Sequence, residues 1–116
     1  MATIKSYTDL EQSKKLAEIL PFESADMFWL VAGNTPRVHV LTEPLSNYRH
    51  WENYPCWSLA ALLGVLPYGY SSILTKSFNG KDYYCKIDGK PFVTEADNPI
   101  GVCYEMILKL HKLNLL

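Results

Sequence analysis

The stretch ILTKSFNGKDYYCKI, residues 73–87, places an Asn-Gly pair between two runs of strand-forming residues. Asn79-Gly80 readily adopts the positive φ angles of a type I′ turn, which joins two antiparallel strands through a two-residue loop. That turn sets Leu74 opposite Cys85, and the alternating side chains of each strand divide into a core face and an outer face. The sequence therefore predicts a β-hairpin here, and this hairpin decides the fold class.

A second turn extends the hairpin by one strand. Asp88-Gly89 repeats the turn chemistry and brings Thr94 back beside the second strand. Pro91 cannot donate a hydrogen bond to a neighbouring strand, so the third strand is expected to be short and to lie at the edge of the sheet. The result is a three-stranded antiparallel meander over about residues 72–94.

Another hairpin is predicted earlier in the chain, over about residues 27–42. MFWLVA at 27–32 and RVHVLT at 37–42 are short runs rich in aromatic and β-branched residues, and GNTP at 33–36 separates them. This hairpin and the meander belong either to one antiparallel sheet of about five strands or to two separate units.

Two helices are predicted near the ends of the chain. Thr8 and Glu11 have the spacing of a capping box, and the amphipathic pattern after them indicates a helix over about 9–20. Asn98-Pro99 supplies an N-cap and a proline for the first turn of a second helix, over about 99–113. Both helices have one apolar face, so both are expected to dock on the sheet.

A third helix is predicted in the middle of the chain. WSLAALLGVL at 57–66 is apolar almost all round, and such a helix must be covered on most of its sides. Pro55 suits its first turn, where a missing N–H costs nothing, and Pro67 ends it. We therefore expect this helix to be central and buried.

These elements predict an α+β fold in a single domain that spans residues 1–116. A chain of this length fits one core, and 48% apolar residues are enough to fill that core without disulfides.

The charge balance argues against a nucleic-acid partner. Eleven Lys and Arg residues against twelve Asp and Glu residues give a formal net charge of −1, whereas nucleic-acid binders usually carry a clustered basic excess. Four lysines of the predicted meander form an alternative basic patch, although lysines on a sheet more often keep its edge soluble. They are Lys76, Lys81, Lys86 and Lys90.

Cysteine usage and the absence of long apolar runs point to the cytoplasm. Cys56, Cys85 and Cys103 are odd in number and widely separated, which is typical of reduced thiols. The N-terminus lacks an apolar leader segment, and no run approaches the roughly 20 apolar residues that a membrane span needs. The sequence predicts a cytoplasmic protein with no membrane partner.

The chain carries no recognisable metal or cofactor motif, and we predict neither. Its three histidines fit no metal-ligand spacing, and its six glycines form no phosphate-binding loop. One catalytic alternative remains, because Cys56 has His50 nearby and a histidine can activate a thiol. An inert, partly buried Cys56 is the commoner outcome, so the sequence favours a binding protein over an enzyme.

Aromatic residues supply the predicted binding site. YRHWENYPCW at 48–57 has an aromatic residue at every third position, but Pro55 divides the run, and Trp57 belongs to the predicted central helix. The residues before Pro55 are expected to lie in an irregular segment, and Trp and Tyr are favoured at interface hot spots. The candidate patch consists of Tyr48, Arg49, His50, Trp51 and Tyr54.

Three segments carry a resemblance to other proteins: residues 8–29, 55–67 and 95–113. Together they resemble a group of short uncharacterised proteins encoded by prophages and mobile elements of Bacteroides-type gut bacteria. The resemblance covers roughly half of the chain and implies a bacterial, phage-related setting. It implies no activity, cofactor or catalytic residue.

The function predicted from the sequence is that of a small cytoplasmic accessory protein that acts by binding through the aromatic patch. Its partner would be another protein, a second copy of the chain or a small ligand. The alternatives are a small thiol-dependent enzyme that uses Cys56 and His50, and a nucleic-acid accessory protein that uses the hairpin lysines.

Overall fold

The computed structural model describes residues 6–41, 51–66, 72–76, 82–87 and 93–116. Its elements confirm an α+β fold with three helices and antiparallel sheets. In chain order these elements are α1 (Leu10–Ala17), a short 3₁₀ helix (Phe22–Ser24), β1 (Met27–Ala32), β2 (Thr35–Val40), β3 (Glu52–Cys56), α2 (Leu59–Val65), β4 (Ser72–Lys76), β5 (Tyr83–Ile87), β6 (Val93–Ala96) and α3 (Pro99–Lys112).

The strands form two three-stranded antiparallel sheets, with the order β2-β1-β3 in the first and β4-β5-β6 in the second. In the second sheet Leu74 lies opposite Cys85, so the predicted hairpin register is confirmed. Cys85 lies opposite Thr94, and β6 is a four-residue edge strand, as predicted. The turn residues Asn79-Gly80 and Asp88-Gly89 and the proline at 91 lie outside the described residues.

The hairpin of β1 and β2 is confirmed, but its turn is shorter than GNTP. Ala32 lies opposite Thr35, so Gly33 and Asn34 make a two-residue connection, and Gly33 has the positive φ of 68° that such turns require. Pro36 therefore lies within β2, where it is tolerated because β2 is an edge strand.

We predicted an irregular segment before Pro55, and this prediction is wrong for residues 52–54. Glu52–Cys56 forms β3, which pairs with β1 and sets Pro55 opposite Phe28. Pro55 is thus in an edge strand and not in the first turn of a helix. Asn and Pro are poor strand formers, so pairing with β1 has overridden the local preference of this segment.

Helix α1 starts one residue later than the predicted capping box. Asp9 is the N-cap: its carboxylate accepts a hydrogen bond from the Gln12 N–H, and the Gln12 side chain accepts one from the Asp9 N–H. Thr8, the predicted cap, is fully buried. A capping box is therefore present, as predicted, but it is formed by Asp9 and Gln12, one residue later than Thr8 and Glu11.

Helix α2 packs on α3 and on the 3₁₀ helix, but part of its surface is exposed, so the expectation of burial on most sides is wrong. Leu62 is fully buried, whereas Leu63 is 39% exposed and Gly64 is also exposed. The N-cap is Ser58, whose hydroxyl accepts a hydrogen bond from the Ala61 N–H. Helix α2 has only seven residues, and α3 packs along one side of it. Apolar side chains on its exposed surface are not covered by any described element.

Helix α3 forms the middle of the core. Asn98 is its N-cap and Pro99 is its first residue, which confirms the predicted start. Its buried face packs on β5, β6 and α2. The seven buried residues of this helix are Ile100, Gly101, Val102, Cys103, Met106, Ile107 and Leu110.

One continuous cluster of buried apolar side chains joins the three helices to the second sheet. It includes Leu16 of α1, Trp57 before α2, Cys85 of β5 and most of the buried face of α3. No helix within the described parts of the chain has the length and apolar character needed to cross a membrane.

Candidate functional site

The structure describes two of the five residues of the predicted aromatic patch, Trp51 and Tyr54, and their surroundings differ. Trp51 is 49% exposed and lies just before β3. Tyr54 is half-buried in β3, opposite Trp29, and the ammonium group of Lys14 lies 5.2 Å from the centre of its ring. Helix α1 therefore partly covers Tyr54. The remaining residues of the patch, Tyr48, Arg49 and His50, lie outside the described residues.

Cys56, the candidate nucleophile, is fully buried in a polar junction between α1 and β3. Its thiol donates to the Thr8 carbonyl oxygen at 3.4 Å and lies 3.6 Å from Thr8 Oγ1, which itself lies 2.7 Å from Ser13 Oγ. Burial raises the pKa of the Cys56 thiol and so disfavours the reactive thiolate. His50, its proposed partner, is in the part of the chain that is not described.

The other two cysteines face each other inside the core. Cys85 of β5 and Cys103 of α3 are both fully buried. A hydrogen bond to Cys85, together with burial, raises the pKa of the Cys103 thiol far above its ordinary range. These thiols act as core side chains in this arrangement.

Two of the four lysines of the proposed basic patch are described, and they lie on opposite faces of the second sheet. Lys76 lies opposite Tyr83, whereas Tyr84 is on the other face together with Lys86. Both lysines are exposed. Because cross-strand partners share a face, these two ammonium groups do not point to the same side of the sheet. Lys81 and Lys90 lie outside the described residues.

The described part of the chain holds no group of three or more metal-ligating side chains. His39 stacks on Phe28, with ring centroids 5.3 Å apart and an interplanar angle of 19°. His111 is exposed in the last turn of α3.

An open groove of about 490 Å³ lies between the segment that follows α1, one side of α2 and the C-terminal end of α3. Pro21 follows α1 in one wall, and one side of α2 forms the opposite wall. We call this the apolar groove. It is lined by Ile19, Leu20, Pro21, Ser24, Ala61, Gly64, Val65, His111 and Leu116.

Local features of the sequence shape the apolar groove. The Trp57 indole Nε1 donates to Ser24 Oγ at 2.9 Å, which ties the 3₁₀ helix to the core beside the groove. Gly64 presents no side chain, and a Cβ added there would meet nothing within 4 Å. A larger residue at position 64 would therefore enter open space and narrow the groove.

The end of α3 contributes the remaining wall. Asn114 adopts the left-handed conformation, with φ of 58°, and the Leu115 N–H donates to the Leu110 carbonyl oxygen at 2.9 Å. This is the pattern of a Schellman cap, in which the chain reverses after a helix. The reversal places Leu116 in the lining of the apolar groove.

A second groove, of about 750 Å³, adjoins the first and shares Ile19 and His111 with it. This groove lies between α1 and α3, and most of the side chains that line it are charged. We call this the charged groove. It is lined by Lys15, Glu18, Ile19, Thr94, Glu105, Leu108, Lys109, His111 and Lys112.

Sequence reasoning missed both grooves. Their walls combine residues from positions 15 to 116, so no local motif marks them. The one available clue was Gly64, a glycine inside a predicted helix that no turn explains. Such a glycine costs helix stability relative to alanine.

Comparisons with protein-family models, curated proteins and solved structures found no match. The resemblance to prophage and mobile-element proteins therefore stays a prediction. The functional argument rests on the geometry of the described residues.

Proposed function

We propose that this protein acts by binding and that the apolar groove holds the apolar part of its ligand. The observation that carries the proposal is an open apolar groove of about 490 Å³ between the helices. Small-molecule sites typically have volumes of roughly 300 to 1,000 Å³ and are lined mainly by apolar side chains with a few polar groups. The groove meets this description, with Ser24 and His111 as its polar groups.

The energetic reason for binding is the apolar surface that the groove leaves in contact with water. Leu116 is 43% exposed, and Val65 and Ile19 are only partly buried. Burial of apolar surface contributes about 25 cal/mol per Å², so a ligand that covers these side chains gains free energy without any rearrangement of the core.

The two described residues of the predicted aromatic patch, Trp51 and Tyr54, do not line the groove. Trp51 is exposed but does not line it, and Tyr54 is partly covered by α1. Binding through the aromatic patch, the cytoplasmic location and the accessory role stay predictions. The thiol-enzyme alternative has less support, because Cys56 is fully buried and its pKa is raised.

Filling the groove tests the proposal. In Gly64→Leu the new side chain enters the groove, and replacing glycine inside a helix favours α2 by up to about 1 kcal/mol. The neutral apolar dye Nile red is the probe, and its fluorescence increases in an apolar site. We expect the wild-type protein to bind the dye and Gly64→Leu to bind it at least several-fold more weakly, with no loss of thermal stability.

Ala60→Leu is the matched control. Ala60 is exposed on the same helix, outside the lining of the groove, so its substitution places the same leucine side chain on α2 at a position that does not line the site. Dye binding should be unchanged in this variant. Equal dye binding by Gly64→Leu and the wild type, or no binding by the wild type, would refute the proposed function.

A further inference from the structure

The two grooves form one amphipathic channel. Ile19 and His111 line both grooves, so a ligand that extends past these two side chains from the apolar groove reaches the charged groove. The apolar part has small residues along the α2 wall, at Ala61 and Gly64, so it offers an open strip for a slender chain. The channel therefore suits a ligand that is apolar along its length and charged at one end.

The charged groove favours an anion. It contains three lysines and two glutamates, together with His111. Lys15 Nζ lies 3.8 Å from a carboxylate oxygen of Glu18, and both side chains are more than half exposed. The charges of these two residues therefore cancel and add no net charge to the groove. On α3, Glu105 lies four residues before Lys109, whereas the residue four before Lys112 is Leu108. Lys112 is therefore the lysine of this lining that has no glutamate at the preceding helical turn.

We propose that the channel binds a medium-chain fatty acid, with the acyl chain in the apolar groove and the carboxylate beside Lys112 in the charged groove. This inference rests on the proposed function, since it names the ligand of the same groove. A carboxylate accepts hydrogen bonds only, and a lysine ammonium group supplies three donors. A neutral or cationic head group would lack this match.

The observations favour a free fatty acid over a membrane surface. Anionic membranes attract clusters of about four to eight Lys and Arg residues. The charged groove has three lysines beside two glutamates, and the chain has a net charge of −1. A single excess cation is suited to one carboxylate and not to a charged lipid surface.

Displacement of Nile red by three ligands of equal chain length tests the inference. The ligands are decanoate, decanol and decyltrimethylammonium, each below the concentration at which it forms micelles. We expect decanoate to displace the dye at a concentration about two- to fivefold lower than decanol, as is typical of an exposed ion pair, and the cation to be weakest.

Two lysine variants locate the carboxylate. Lys112→Gln should remove the advantage of decanoate over decanol and leave decanol unchanged. Lys86→Gln is the matched control, because Lys86 is an exposed lysine of the second sheet that does not line the channel. That control should retain the full advantage of decanoate.

The outcomes separate the two proposals. If decanol and decanoate compete equally, and Gly64→Leu weakens both, the fatty-acid inference is wrong while binding in the groove stands. If Gly64→Leu affects no ligand, the proposed function also fails. Stronger competition by the cation, or partition of the protein onto vesicles of anionic phospholipid without displacement by decanoate, would overturn the fatty-acid inference.

Discussion

Thr8 joins three segments of the fold through one buried side chain and its carbonyl group. Its hydroxyl lies 2.7 Å from Ser13 Oγ of α1 and accepts the Trp57 N–H at 3.1 Å. Its carbonyl oxygen accepts the Trp29 indole N–H from β1 at 3.0 Å. Because Thr8 is fully buried, water cannot replace these partners.

Thr8→Val should destabilise the protein more than the loss of one hydrogen bond suggests. Valine keeps the shape of threonine but leaves the Trp57 N–H and the Ser13 hydroxyl without this partner in a buried place. An unsatisfied buried polar group costs about 1 to 3 kcal/mol. Urea unfolding should therefore show a loss of this size, while Thr35→Val, an exposed change in β2, should have little effect. A loss below about 0.5 kcal/mol for Thr8→Val would contradict this role.

The position of Thr8 also shows what local sequence leaves undecided. Thr8 with Glu11 and Asp9 with Gln12 both have capping-box spacing, so the pattern alone favours either. The choice depends on the burial of Thr8 beside Cys56, which is 48 residues away along the chain. A contact over that distance cannot be deduced from neighbouring residues.

Among the elements, α3 depends most clearly on a single capping residue. Asn98 Oδ1 accepts the Gly101 N–H at 2.7 Å and so satisfies a free donor of the first turn. A Cβ added at Gly101 would lie 3.3 Å from Asn98 Oδ1 and 3.3 Å from Ala96 Cβ, so the turn is closely packed around this bond. The cap fixes where the helix begins against β6.

Asn98→Ala should lower the free energy of unfolding by about 1 kcal/mol, within the range of 0.5 to 2 kcal/mol for loss of an N-cap. Asn98→Asp keeps an acceptor oxygen and adds a negative charge at the positive end of the helix dipole, so it should retain most of the stability. Denaturant unfolding followed by far-UV circular dichroism measures both. Equal losses in the two variants would show that the side-chain cap is not what stabilises the helix start.

The sequence predicted best those elements that have a recognisable cap or turn sequence at one end. The start of α3 follows from Asn98-Pro99, and the pairing of Leu74 with Cys85 was predicted from the Asn79-Gly80 sequence. Strand β3 has no such chemistry and exists because β1 pairs with it across 20 or more intervening residues. Pairing of this kind is a property of the tertiary structure, so the segment around Tyr54 was predicted as irregular.

At the scale of the whole molecule, one buried cluster connects the helices to the second sheet, and α1 packs on β3 of the first sheet. Trp57 and Leu16 near the first sheet belong to the same buried cluster as Ile107 of α3 and Ile87 of the second sheet. The grooves lie where this core ends at the surface, between helices that are distant in sequence. Composition predicted the existence of the core, but the position of the grooves required the packing of the helices.

A continuous core predicts that the whole molecule unfolds in one transition. All three tryptophans lie before α2, at positions 29, 51 and 57, whereas α3, the longest of the described helices, lies at the other end of the chain. Tryptophan fluorescence therefore reports the first part of the fold, and far-UV ellipticity is dominated by the helices. Two-state unfolding requires the two probes to give the same midpoint in urea.

Ile107→Ala tests this coupling directly. Ile107 is fully buried in α3, and its truncation should cost about 2 to 5 kcal/mol. If the core is one cooperative unit, the midpoint measured by tryptophan fluorescence must fall together with the midpoint measured by ellipticity, although no tryptophan lies in α3. Leu113→Ala is the control, because Leu113 is 45% exposed just after the same helix and should shift neither midpoint by much. A fluorescence midpoint that stays in place while the ellipticity midpoint falls would show that the first sheet and α3 unfold independently.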